Sequence, residues 1–286
     1  MTVKGEPIRN VSDTALWVAI YRAMESERPD ALFQDPFARR LAGERGETIV
    51  RTMHSGQSMA WPMIVRTAVM DEILLRCVAQ GARTVLNLAA GLDARPYRLD
   101  LPRDLRWLHV DLPPMIDYVR GQLAGETPRC RLEYVAADLT DAAARTAAIA
   151  RAAGGGPAFA ICEGLLIYLE AEQVAGLARE LHAQPELRWW LIDLASPQLL
   201  KMLAKRWGPG LAAGNAPMKF GPAEGTAFFA PYGWREAEFR STWDESFRLR
   251  RTMRLGWLWR ALGKLSSRER QEAGRRMAGI VLLERT

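Results

Sequence analysis

The chain has few of the residues that would tie it to metal or disulfide chemistry. Among 286 residues there are three cysteines and three histidines. Cys77, Cys130 and Cys162 are scattered and odd in number, with no C-x-x-C pair, so no disulfide framework is expected. So few histidines argue against a His-rich metal site, and no metal is expected. A reducing cytosol is the natural compartment, giving a cytoplasmic expectation. The opening stretch MTVKGEPIRNVSDT lacks the apolar segment of a signal peptide. No apolar run approaches the roughly 18–20 residues that span a bilayer, so no membrane partner is expected. A G-x-G-x-x-G string is also missing, which counts against a nicotinamide oxidoreductase.

What is present is globular material. Apolar residues make up 49% and charged residues 25%, which excludes a disordered, collagen-like or coiled-coil chain. The length allows a large core without metal or disulfide support. Thirty-nine Lys+Arg against thirty-three Asp+Glu leave a net charge of +6, much of it between Arg235 and Arg276. There Arg240, Arg248, Arg250, Arg251, Arg254 and Arg260 mix with Trp243, Trp257 and Trp259, a composition that could hold nucleic acid. Asp244, Glu245, Glu269 and Glu272 are interleaved, so a solvated basic face on a helical cap is the preferred reading.

The hydrophobic pattern changes period along the chain. Leu16, Ala19, Ile20 and Ala23 recur at helical spacing over 12–24, with Ser12 and Asp13 as candidate caps. Asp35-Pro36 predicts a second, short helix, residues 43–60 read as irregular, and 63–79 read as a long amphipathic helix. From 83 onward short apolar runs alternate with helical stretches. Strands are predicted at 83–90, 105–110, 131–137, 157–162 and 187–194, and helices at 113–123, 141–153 and 170–183. This is the pattern of βαβ units and a parallel sheet with right-handed crossovers. Beyond 196 the reading is a helix at 197–206, a Gly/Pro-rich loop at 207–226 and a helix at 233–241. Two last strands at 246–252 and 278–285 flank a basic helical insertion.

In such a sheet the ligand lies beyond the carboxyl ends of the strands. Those ends carry the small-residue turn Ala89-Ala90-Gly91, then Asp111, Asp138 and Glu163. A turn of small residues lets backbone approach a ligand closely. An acid after the second strand can accept two ribose hydroxyls. Asp138 can accept from an adenine amino group beside Leu139, and it could equally cap the following helix. Asp93 stands where a phosphate would be repelled, so an adenosine ligand without phosphate fits better than a dinucleotide.

The segment LNLAAGLDARPYRL, residues 86–99, resembles the first motif of the leucine carboxyl methyltransferase family, including its bacterial small-molecule O-methyltransferase branch. The likeness continues in order through TALWVAIYRAME (14–25), Asp35-Pro36, Arg66-Thr67 with Asp71, Asp111-Leu112-Pro113, Asp138-Leu139 and EGLLIYL (163–169). It implies an α/β class I methyltransferase with a mostly parallel seven-stranded, Rossmann-like sheet, helices on both faces, and N- and C-terminal helical caps. A single domain is expected over 1–286: cap and cofactor helix at 1–80, cofactor-binding core at 81–196, and cap loop, insertion and final strands at 197–286. The implied cofactor is S-adenosyl-L-methionine. By motif position, Arg66 would hold its carboxylate, Ala89 to Gly91 would pass along its amino-acid part, Asp111 would bind ribose, Asp138 and Leu139 adenine, and Glu163 the ammonium. Ala89 and Ala94 depart from the family's usual Gly and Thr, and Ala89 would be strained if the turn needs positive φ.

The implied reaction is O-methylation of a small-molecule carboxylate or hydroxyl. A carboxylate acceptor needs no general base at neutral pH, whereas a phenol would profit from one. No acid/base residue is assigned. Tyr168 and His54 are the substrate-side candidates, while His109 and His182 read as structural and solvated. Trp207, Phe228, Phe229, Tyr232, Trp234, Trp257 and Trp259 are candidates for the acceptor wall or for the core of the cap. The alternatives are a non-catalytic or nucleic-acid-directed protein that holds the same adenosyl ligand.

Overall fold

The structure, a computed structural model, describes residues 13–52, 60–213 and 217–286, with backbone alone over 206–213. Seven strands form one sheet: β1 (Thr84–Leu88), β2 (Arg106–Asp111), β3 (Arg131–Ala136), β4 (Ala158–Cys162), β5 (Leu187–Ala195), β6 (Trp234–Ser241) and β7 (Ala278–Arg285). Their order is β3-β2-β1-β4-β5-β7-β6. The first five run parallel, and β7 is antiparallel to both β5 and β6. The order reverses between β1 and β4, the topological switch point where open α/β sheets bind ligands.

The central strands are buried on both faces, as their unbroken apolar runs require. On one face Leu86, Leu88, Ala160 and Cys162 pack with α6 (Ala142–Ala150) and α7 (Ala171–His182). On the other, Val85, Trp107, Phe159 and Ile161 pack against α3 (Ala60–Ala79) through Val65, Val69, Ile73 and Leu74. A further cluster joins α1 (Asp13–Ser26) and α2 (Ala38–Thr52) to Tyr97, Met115 and Val119. The last two belong to α5 (Pro113–Gln122), and Tyr97 lies in the single turn α4 (Arg95–Arg98). The N-terminal helices are thereby fixed beside the carboxyl ends of β1 and β2.

Four expectations change. Residues 43–52 are not irregular: α2 runs to Thr52 and merely breaks at Gly43, whose φ of 57° no continuous helix tolerates. The loop expected from 207 begins later, because α8 (Pro197–Ala213) continues through the Gly-Pro-Gly stretch. The segment 233–241 is β6, not a helix. Its Glu and Ala are good helix formers, but pairing with β7 and a register shift between Glu236 and Glu238 override that preference. The strand expected at 246–252 is instead α9 (Thr242–Arg248) and a turn. Ser241 caps this helix by accepting from the Asp244 N–H, and Asp244 and Glu245 suit its positive N-terminus. Two short helices, α10 (Gly256–Gly263) and α11 (Arg268–Arg275), form the basic insertion before β7.

Candidate active site

The strand registers bring the acids of the sequence together at one crest. Leu88 lies opposite Val110 and Asp111 opposite Ala136, so the turn after β1 stands beside Asp111. Cys162 lies opposite Ile192, which sets Glu163 next to Asp193. A cavity of about 1460 Å³ opens here. Its lining includes Arg66, Ala89 to Asp93, Asp111, Asp138, Leu139, Glu163, Tyr168 and Asp193. Single small-molecule pockets usually run about 300–1,000 Å³, so this space accommodates more than one ligand.

The turn after β1 is built for close approach. Ala89 has φ 52° and Gly91 φ 52°, so the backbone twists twice within three residues. Ala89 therefore occupies the strained conformation that its place in the motif raised as a question. Asp111 clasps the turn: Oδ2 accepts from the Gly91 N–H at 2.6 Å, and Oδ1 accepts from the Leu112 N–H at 2.7 Å. Each oxygen keeps a lone pair for a ligand hydroxyl. Burial pushes the Asp111 pKa up against the pull of these two N–H donors. His109 is buried, and its Nε2 lies 3.2 Å from the Gly91 carbonyl, so it donates to that oxygen and braces the turn from beneath. Burial lowers its pKa, which keeps the imidazole neutral. The structural role expected of His109 is what the geometry gives.

Glu163 is central to an ion network the sequence did not disclose. Its Oε1 accepts from Arg66 Nε at 3.1 Å, and its Oε2 from Arg95 Nη1 at 2.8 Å. Arg66 Nη1 also donates to Asp193 at 2.9 Å, while Asp193 accepts from the Gly164 N–H at 2.6 Å. Arg95 reaches Asp71 at 2.6 Å and Asp93 at 2.8 Å, and Asp93 accepts from Asn87 at 2.7 Å. Arg98 pairs with Asp71 at 2.7 Å and lies 3.7 Å from Asp35, which pairs with Arg22 at 2.8 Å. Burial raises the Glu163 pKa, but the Arg95 and Arg66 guanidiniums outweigh it and hold the carboxyl down at about 2.

The linked set contains the cations Arg22, Arg66, Arg95 and Arg98 and the anions Asp35, Asp71, Asp93, Glu163 and Asp193. Among the described residues, four positive charges against five negative ones leave one uncompensated negative charge beside the cavity. A buried excess of that sign invites a cation. Arg66 Nη2 makes no hydrogen bond among the described residues and stays free for an anionic group.

The Asp138 side chain is exposed, and its Oδ1 accepts from both the backbone N–H and the hydroxyl of Thr140, at 2.9 and 2.7 Å. These bonds lower its pKa. The cap of α6 is Asp141, whose Oδ1 accepts from the Ala144 N–H at 2.9 Å, so Asp138 is spared that duty. Leu139 is half-buried against the core and lines the cavity. Tyr168 lies in a 3₁₀ turn (Leu166–Tyr168), with its hydroxyl in hydrogen-bonding reach of Thr14. Burial raises its pKa, so it stays protonated. His54 lies outside the described residues. His182 is half-buried against Trp234 rather than solvated, at 5.9 Å between rings.

The aromatic residues divide sharply. Phe228, Phe229, Tyr232 and Trp234 belong to the core and its margin, stacked edge-on with one another, Phe220 and Trp190. They build the sheet core, neither the acceptor wall nor the core of a cap. Trp257 is exposed and does not line the cavity, and the Trp207 side chain lies outside the described residues. The cavity is instead lined by Trp259 with Trp17, Trp61, Trp243 and Phe220. Arg95 and Asp193 were missed as site residues. Asp193 lies inside β5, two residues before its end, so it lacks the strand-end position that exposed Asp111 and Glu163, and nothing in the spacing of Arg95 marks it as buried.

The sheet order and the cleft at its switch point define a class I methyltransferase fold. The chain belongs to the leucine carboxyl methyltransferase family, which it matches over residues 15–182. A Parafrankia protein provisionally named an S-adenosyl-L-methionine-dependent methyltransferase is 34% identical over 255 residues, covering 81% of this chain and 79% of that protein. A Streptomyces coelicolor protein with the same provisional name is 31% identical, covering 77% and 82%. Among solved structures, a DUF574 family protein from Streptomyces avermitilis superposes with a TM-score of 0.59 at 15% identity, covering 94% of this chain and 97% of that one. A Thermobifida fusca protein provisionally described as a methyltransferase gives 0.55 at 14% identity, covering 99% and 97%. No helix among the described residues is long and apolar enough to cross a membrane.

Proposed function

We propose that the chain transfers a methyl group from S-adenosyl-L-methionine to an oxygen of a small-molecule acceptor, a carboxylate or a hydroxyl. The cofactor is S-adenosyl-L-methionine, in line with the family and the names of the relatives. The observation that carries this reading is the excess of negative charge that the described residues leave around Glu163 and Asp193, beside the Asp111 clasp. A phosphate-free, positively charged nucleoside suits such a crest; a pyrophosphate does not.

The residues divide the work by chemistry. Asp111 offers a lone pair on each oxygen to the ribose hydroxyls. Asp138 and Leu139 offer an acceptor and an apolar wall to the adenine. Glu163 takes the ammonium, and Asp193, its neighbour across the sheet, shares that charge. The free Nη2 of Arg66 takes the carboxylate. Ala89 to Gly91 supply a backbone path without bulky side chains.

When bound, the cofactor supplies a methyl group on a cationic sulfur, open to in-line displacement. The chain's own part is positioning and exclusion of water. A carboxylate acceptor is ionised at neutral pH and needs no base. Tyr168, held protonated by burial, can donate a hydrogen bond to orient an acceptor oxygen but cannot serve as base near pH 7.

Methyl-labelled cofactor incubated with a panel of small aromatic and aliphatic carboxylic acids and phenols tests the reading. Label that enters an organic product and is released by mild alkali identifies an ester; label that resists alkali identifies an ether. Label found only on nitrogen or carbon, or only in nucleic acid added to the reaction, would overturn it.

A further inference from the structure

The cavity is electrically two-sided. Its floor at the strand ends is acidic. Its far wall is built from α8, α10 and α11, all of which leave or enter the sheet at the same end, since Ala195 of β5 pairs with Ala278 of β7. That wall carries Lys205, Arg260, Lys264 and Arg270. None of these four has a carboxylate partner among the described residues, although most cavity and surface arginines here do. Among the described residues Arg275 is the wall's one paired cation, held by Asp244 at 3.1 Å. Arg260 lies over the Phe247 ring at 4.4 Å, which fixes its guanidinium without neutralising it. Between floor and wall the lining is apolar and aromatic: Trp61, Trp243, Trp259, Met218 and Met253.

We infer that the acceptor is an apolar or aromatic molecule carrying a second, anionic group remote from the oxygen that is methylated, and that the α10–α11 wall binds this group through Lys264 and Arg270, with Arg260 beside them. The inference rests on the methyl-transfer reading of the same cavity. Cations that line one cavity and have no carboxylate partner among the described residues lower the cost of bringing an anion out of water. The acidic floor repels that same anion. Opposed fields therefore orient the molecule, turning its charged end to the wall and its remaining length across the tryptophans. A neutral acceptor of the same shape would gain burial but no such orientation.

The test uses two fluorescent probes of similar apolar body, 1-anilinonaphthalene-8-sulfonate and uncharged N-phenyl-1-naphthylamine. In the double variant Lys264→Gln/Arg270→Gln the sulfonate is expected to bind at least fivefold more weakly than to the parent chain. The neutral probe should bind both equally, and raising the salt should weaken only the sulfonate. Equal loss for both probes, or no loss for the sulfonate, would overturn the inference. So would a dependence on these residues confined to vesicles rich in phosphatidylglycerol, which would make the wall a membrane contact. Calorimetry with S-adenosylhomocysteine on the same proteins separates the two readings. Unchanged affinity localises the effect to the acceptor half. Failure of parent and variant alike to bind S-adenosylhomocysteine, with the sulfonate result intact, would defeat the methyl-transfer reading and leave the anion site standing.

Discussion

Glu163 and Arg95 meet at 2.8 Å across 68 residues of sequence, and Arg95 is among the most deeply buried charged side chains of the chain. The pair ties the end of β4 to the single turn α4, and so fixes the distance between the two ridges that flank the switch point. Glu163 is also the acid proposed to receive the cofactor ammonium. One carboxylate is then both a structural anchor and a ligand group.

Replacing Glu163 by Gln leaves Arg95 and Arg66 with one anion fewer. Breaking a buried pair on one side costs about 3–5 kcal/mol. Urea unfolding at pH 7 should show a loss toward the lower end, because Asp71, Asp93 and Asp193 still face the two arginines.

The pH dependence of that loss has a definite sign. The folded Glu163 carboxyl titrates at about 2, below the reference value near ~4.3 of an unfolded glutamate. Its stabilisation is complete above the unfolded value and is lost as pH falls through the folded one. Parent and Glu163→Gln stabilities should therefore converge between about pH 4.3 and pH 2. A constant gap across that window would show that Glu163 is not held down by its arginines.

Ala89 adopts a left-handed φ of 52° in the turn that faces the cavity. The conformation costs a non-glycine residue about 1–2 kcal/mol, part of which glycine returns through its greater unfolded-state freedom. Ala89→Gly should raise stability by about 0.5–1 kcal/mol, or Tm by roughly 2 °C in a chain of this size. Thermal unfolding checks it; a lower Tm would mean that the Ala89 methyl packs more than it strains.

Asp193 accepts from the Gly164 N–H and from Arg66 at once. Asp193→Asn keeps an acceptor for Gly164 but removes the charge. S-adenosylhomocysteine should then bind about tenfold more weakly, as expected for one charge-assisted contact. An affinity equal to that of the parent would remove Asp193 from the cofactor site.

The central sheet was readable because each of its first five strands is a short apolar run that ends in a small or acidic residue. Asp111 and Glu163 announced themselves by that position alone. The C-terminal third was not readable in the same way. β6 is an edge strand made of residues such as Glu236, Ala237 and Glu238 that favour helix in isolation, and it is a strand only because β7 lies beside it. The ion network was hidden for a related reason. Arg22 on α1, Arg66 on α3, and Arg95 with Arg98 on α4 come from three separate elements, and a sequence does not show which arginines turn inward. The aromatic residues expected in the cap looked alike in the sequence, and only packing separated Phe229 and Trp234 in the core from Trp259 at the cavity.

Isothermal calorimetry with S-adenosylhomocysteine on the parent chain and on Asp111→Ala, with NAD as a control ligand, tests the central claim most directly. The account predicts one site on the parent chain, no measurable binding by Asp111→Ala although it still unfolds cooperatively, and no heat from NAD. Binding of NAD without the adenosyl ligand, or equal affinity of both proteins for S-adenosylhomocysteine, would contradict it.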